Sequence, residues 1–138
     1  MVKTTTLRRL EVLALVAIGG FAGANLRYFV GLVTPDVAGT LLVNVLGSFA
    51  LGFVLYEAIH TGALADETRA VVGTGFLSSF TTYSTFALQT VQLEPLWMLG
   101  NVVASYALGF GGVLMGRWLA LRLDGSDASG VIAEWGEP

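Results

Sequence analysis

Residues 73–86 read GTGFLSSFTTYSTF. Eight of the fourteen carry a hydroxyl, counting Tyr83, and none carries a charge. The flanking sequence is as apolar as a membrane helix, so this string decides whether the third apolar segment is continuous or broken. Ser78, Ser79, Thr81, Thr82, Ser84 and Thr85 share no single helical face. Their hydroxyls compete for nearby backbone groups, and β-branched threonine loses side-chain freedom in a helix. The string therefore predicts a helix interrupted near mid-membrane. In lipid, the backbone groups freed by a break need protein, water or a ligand as partner. Broken helices present loose carbonyls to small cations and N-termini to anions, so the hydroxyls point to an ion site without naming the ion.

The surroundings support a membrane setting. Of 138 residues, 54% are hydrophobic and 12% charged, where a soluble domain carries about 25% charged residues. Residues 37–56, 70–93 and 95–116 contain no charge at all, and residues 12–33 are apolar except for Asn25 and Arg27. Each run is long enough to cross a hydrocarbon core as a helix of about 20 residues. The expected fold is an all-α membrane protein with four transmembrane helices in one domain, residues 1–122. An acidic, disordered tail is expected at 123–138. Four spans put both termini and the 57–69 loop on one side, together with Lys3, Arg8, Arg9, Arg69, Arg117 and Arg122. The positive-inside rule makes that side the cytoplasm for most copies.

Each span also carries a face of small or polar residues. Gly19, Gly23 and Arg27 recur at intervals of four, as do Thr40, Asn44, Ser48 and Gly52, and then Asn101, Ser105 and Gly109. Small residues let helices approach closely where lipid supplies no hydrophobic force between them, which accounts for the glycines and Ser48. Asn44 and Asn101 need partners or water in hydrocarbon and also fit a polar path. Arg27 either lines such a path or snorkels to the interface from the end of its span.

Several functions are disfavoured. The absence of cysteine removes disulfides, thiolate nucleophiles and thiolate metal sites. A proton-coupled multidrug antiporter of four short spans needs a carboxylate within the membrane, whereas Glu11, Asp36, Glu57, Asp66, Glu67 and Glu94 fall at span ends or in loops. A non-transporting assembly subunit explains the glycines but not Asn44, Arg27 or the third-span hydroxyls. Enzymatic activity is not expected, because the single histidine, His60, lies in a loop and no nucleophile–base pair is visible. Nothing suggests nucleic acid as a partner.

The strings GGFAGANLRY (19–28), GTLLVNVLGSF (39–49) and GTGFLSSFTTYSTF (73–86) resemble, in order and one per span, the motifs of the Fluc/CrcB fluoride channels. The resemblance implies a fluoride-selective channel exporting fluoride passively through the plasma membrane. It further implies an antiparallel dimer with two pores and a structural Na⁺ at the interface, where the third helices break. Carried over motif by motif, the Na⁺ ligands are the backbone carbonyls of Ser78 and Thr81. The pore amide is Asn44, a pore hydroxyl is Ser105, and Tyr83 and Phe86 are the rings facing the ions, with Ser84 and Thr85 between them. Thr40 and Asn101 join the pore set, and Arg27 matches the arginine of the aqueous vestibule. The chain departs from the pattern at Ser78-Ser79, where the family has Gly-Gly, and at Tyr83, where it has Phe. The basic residues lie so heavily on one side that the dimer partner is open between a second copy and an oppositely oriented paralogue.

Overall fold

The computed structural model describes residues 2–57 and 65–123. His60 lies outside them. Of the tail expected at 123–138, Leu123 closes the last helix and the remainder lies outside the described residues.

Four helical passes are present among the described residues, three of them continuous. Helix α1 runs Val2–Val33, α2 Asp36–Tyr56 and α6 Pro95–Leu123. All three are long and apolar enough to cross a membrane. The third pass is assembled from pieces: α3 (Asp66–Arg69), a π-helical stretch (Ala70–Leu77), α4 (Ser78–Phe80) and, after a break, α5 (Tyr83–Val91). Helix α1 begins ten residues before the apolar run because nothing in TTTLRRLEVL stops a helix. It ends where Pro35 cannot continue it, and the Thr34 hydroxyl donates to Val30 O at 2.6 Å. Asp36 then opens α2, a carboxylate placed against the positive end of the helix dipole. Pro95 opens α6, at the one helical position where its missing N–H costs nothing.

The passes pack as two tight pairs. Helix α1 lies against the π-helical stretch: a Cβ on Gly75 would sit 2.6 Å from Val16 O, and one on Gly19 or Gly23 would strike Val71 O or Phe76 O. Helix α2 lies against α6, where Gly112 approaches Val45 O and a Cβ on Gly116 would strike Phe49 O. These are backbone-on-backbone contacts, which is how apolar helices gain attraction in lipid. Little side-chain mass is interior. Val43 is 1% exposed, while Phe21 is 74% and Trp97 71% exposed, the inverse of a soluble core and the surface a hydrocarbon solvent requires. Arg8 reaches Glu67 at 3.8 Å, so the start of α1 and the start of the third pass occupy the same end of the bundle.

Candidate functional site

The break falls at Thr81-Thr82, inside the hydroxyl string. Thr81 (φ −79°, ψ 158°) and Thr82 (φ −149°, ψ 121°) are both extended. Local hydroxyl bonding shapes both sides of it. The Ser78 hydroxyl donates to Thr74 O and that of Thr81 to Leu77 O at 2.9 Å. Beyond the break the Thr82 hydroxyl caps α5, accepting from Thr85 N–H at 3.3 Å. Ser78 itself is right-handed helical (φ −66°, ψ −28°), so the serine found where the family has glycine needs no unusual backbone. Gly47 of α2 leaves room for the Thr81 methyl, which a Cβ there would strike.

Two side chains from other passes hold the extended pair. Thr82 N–H, which in a continuous helix would donate to Ser78 O, donates instead to Asn44 Oδ1 at 2.7 Å. The Asn44 amide returns a bond from Nδ2 to Thr82 O at 2.9 Å. One asparagine thus satisfies both backbone groups of one residue, as a neighbouring strand would. Its second Nδ2 proton remains for a ligand. From α1, Arg27 Nη1 donates to Thr81 O at 3.4 Å.

Three clefts meet around this point. The first, about 370 Å³, is lined by Asn44, Gly47, Ser48, Ser78, Thr81, Thr82 and Tyr83 among others. The second, about 260 Å³, brings Asn44, Tyr83, Phe86 and Ser105 together with Ser48, Tyr106, Gly109 and Phe110. Phe86 meets Tyr106 edge to face, at 87° with centroids 6.4 Å apart, and Tyr83 lies tilted at 48° and 5.9 Å from Phe86. The third, about 180 Å³, holds Arg27, Asp36, Thr40, Thr82, Thr85 and Gln89.

The sequence-predicted residues therefore divide. Asn44, Tyr83, Phe86 and Ser105 share the second cleft; Ser78 and Thr81 line the first with Asn44 and Tyr83; Thr40, Thr85 and Arg27 line the third. Ser84 is exposed, with its hydroxyl 3.5 Å from that of Thr82. Asn101 lies apart, in a surface groove with Leu93 and Trp97. Its amide donates to Thr90 Oγ1 at 2.8 Å, and Thr90 donates to Phe86 O at 2.6 Å, so it acts on the Phe86 turn from behind. Several lining residues carry no site signal in the sequence. Ser48 reads as packing, Tyr106 passes for a lipid-facing aromatic, and Asp36 and Gln89 lie near the ends of their helices. The Thr82-x-x-Thr85 spacing before an apolar run was the available signal for the cap.

Comparison with known proteins finds relatives that match most of the chain. Residues 14–117 match the family model described as CrcB-like protein, Camphor Resistance (CrcB). A protein of Haloarcula marismortui named fluoride-specific ion channel FluC 1 is 62% identical over 117 residues, 85% of this chain and 91% of that one. A Halobacterium salinarum protein named fluoride-specific ion channel FluC 2 is 52% identical, over 81% of this chain and 88% of its own. One from Roseiflexus sp., named fluoride-specific ion channel FluC, is 39% identical over 76% of this chain and 93% of its own. A third pass broken inside the hydroxyl string, the clefts gathered around Asn44, and matches of this extent lead to one assignment: the chain belongs to the CrcB family.

Proposed function

We propose that this chain is a fluoride-specific channel that lets fluoride leave the cell passively across the plasma membrane. The observation that carries the reading is the second cleft, where Asn44 and Ser105 line the same space as the rings of Tyr83 and Phe86. Fluoride is small and strongly hydrated, so a path through lipid must replace the donors of water. Asn44 supplies its unspent N–H, and Ser48 and Ser105 supply hydroxyls. The positive edges of the aromatic rings attract an anion without fixing it. Weak, multiple contacts of this kind permit conduction, where one strong cationic site would trap the ion. Arg27, in the third cleft, raises the local concentration of anions at the entrance.

The donor set at the break fits a structural Na⁺. The Ser78 carbonyl has lost its helical donor to Asn44, and among the described residues the Thr81 carbonyl receives the one long Arg27 bond. Neutral carbonyl oxygens suit a hard monovalent cation. These two carbonyls would hold the ion, which when bound supplies a positive potential beside the anion path. Two oxygens do not complete the shell of such a cation, which supports a second, antiparallel subunit contributing its own pair. The basic ends of α1, the third pass and α6 favour termini that are predominantly cytoplasmic.

The test is passive flux. Purified chain in proteoliposomes, followed with a fluoride electrode, should release fluoride down its gradient with no imposed pH gradient. Strict dependence on a proton gradient would refute the channel reading.

A further inference from the structure

Arg27 and the proposed Na⁺ make claims on the same oxygen. The guanidinium donates to Thr81 O at 3.4 Å from half-buried surroundings. It gets there because Gly23, one turn earlier on α1, lets that helix lie directly on the backbone at Phe76 and Phe80. A carbonyl oxygen has two lone pairs, so the arginine does not block a cation by occupancy. Its effect is electrostatic: a fixed positive charge on one lone pair opposes a second positive charge on the other. In partly buried surroundings such repulsion across a few ångströms is only weakly screened.

We infer that Arg27 is a positioning residue that sets the cation affinity of the break, holding Na⁺ binding weaker than the carbonyls alone would give. The inference rests on the sodium reading above. Asp36 lines the same cleft as Arg27, and its carboxylate partly offsets the guanidinium. The other groups facing Arg27 there are neutral: Thr40, Thr82, Thr85 and Gln89, whose Oε1 is buried without a hydrogen-bond partner. The two charges therefore act on the cation with opposite signs. A purely structural role for Arg27 would instead make every substitution weaken the site.

The test uses the purified full chain and reads its thermal unfolding midpoint against Na⁺ concentration, with choline holding ionic strength constant. R27Q keeps an N–H donor and loses the charge. It should lower the half-saturating Na⁺ concentration by about tenfold or more. R27K keeps the charge and should stay within about threefold of the parent, and D36N should raise the requirement about two- to threefold, less than R27Q shifts it because Asp36 is exposed. An R27Q requirement equal to or above that of the parent overturns the inference while leaving the sodium reading intact. If R27Q does not assemble, D36N decides by itself: a raised requirement supports the inference, and an unchanged or lowered one overturns it. A parent chain that Na⁺ stabilises no better than choline does removes the sodium reading and this inference with it.

Discussion

Replacing Asn44 with alanine removes both of its hydrogen bonds to the Thr82 backbone. The bonds measure 2.7 and 2.9 Å and serve the N–H and C=O of Thr82. Thr82 is 8% exposed, so little water reaches its backbone. Thr82 is the N-cap of α5, so its carbonyl keeps the first helical bond and only its N–H is orphaned, at about 1–3 kcal/mol. Water entering the adjoining clefts through the vacated amide volume offsets part of this, leaving about 2 kcal/mol, or a factor of ~30 in the population holding the break. The same change deletes the N–H assigned to fluoride. Asn44→Ala should therefore lose most of its fluoride flux per assembled protein and also unfold at a lower temperature. Asn44→Asp should fare no better, since its second oxygen would face the Thr82 carbonyl oxygen instead of donating to it. Both quantities can be read on one preparation, flux by electrode in proteoliposomes and stability by thermal unfolding in detergent. Full stability in Asn44→Ala would refute the two-way grip on Thr82, and full flux would remove Asn44 from the path.

Other substitutions probe separate parts of the argument. Phe86→Ile should cut flux at least about tenfold with assembly preserved, because an aliphatic group lacks the positive ring edge; unchanged flux would exclude the ring from anion contact. Tyr83→Phe should retain flux within about twofold, since the ring keeps the same edge and the residue is 72% exposed. Gly116→Val should reach the upper end of the about 1–3 kcal/mol cost of overpacking, because its new Cβ meets the Phe49 backbone carbonyl, which cannot rotate away; an unchanged unfolding midpoint would contradict the α2–α6 contact. In cells expressing only this chain, a terminal tag should be reachable mainly from the cytoplasmic side. Equal labelling from both faces would favour a dual-topology homodimer over a partner of opposite bias.

The passes were legible because charge-free runs of membrane length admit few other readings. The break was legible because its cause is local: hydroxyls at Ser78, Thr81 and Thr82 bond to backbone within one turn. The grip of Asn44 was not legible, since it joins residues 38 apart in the chain and depends on how α2 lies beside the third pass. Asn101 was grouped with Ser105 on spacing, but a step of four residues drifts by about 40° around a helix. In the structure the first turns to Thr90 and the second to the cleft. Tyr106 and Gln89 gave no signal, because an aromatic and an amide on apolar helices are ambiguous until their neighbours are known.

The π-helical stretch Ala70–Leu77 was equally silent in sequence, and its residues would suit an ordinary helix. Its consequence is one of angular phase. A π turn holds more residues than an α turn, so the stretch sets the direction in which everything after it faces. If the same eight residues tightened to α geometry with none removed, the remainder of the pass would swing by on the order of 100°. Thr82 would then turn from Asn44, and Phe86 from its cleft, with every side chain in the site still present. Phase through residues 70–77 is thus a stricter requirement than composition, and a one-residue insertion there, which adds a rotation of about 100° that nothing takes up, should abolish fluoride flux where conservative substitutions at the same positions do not.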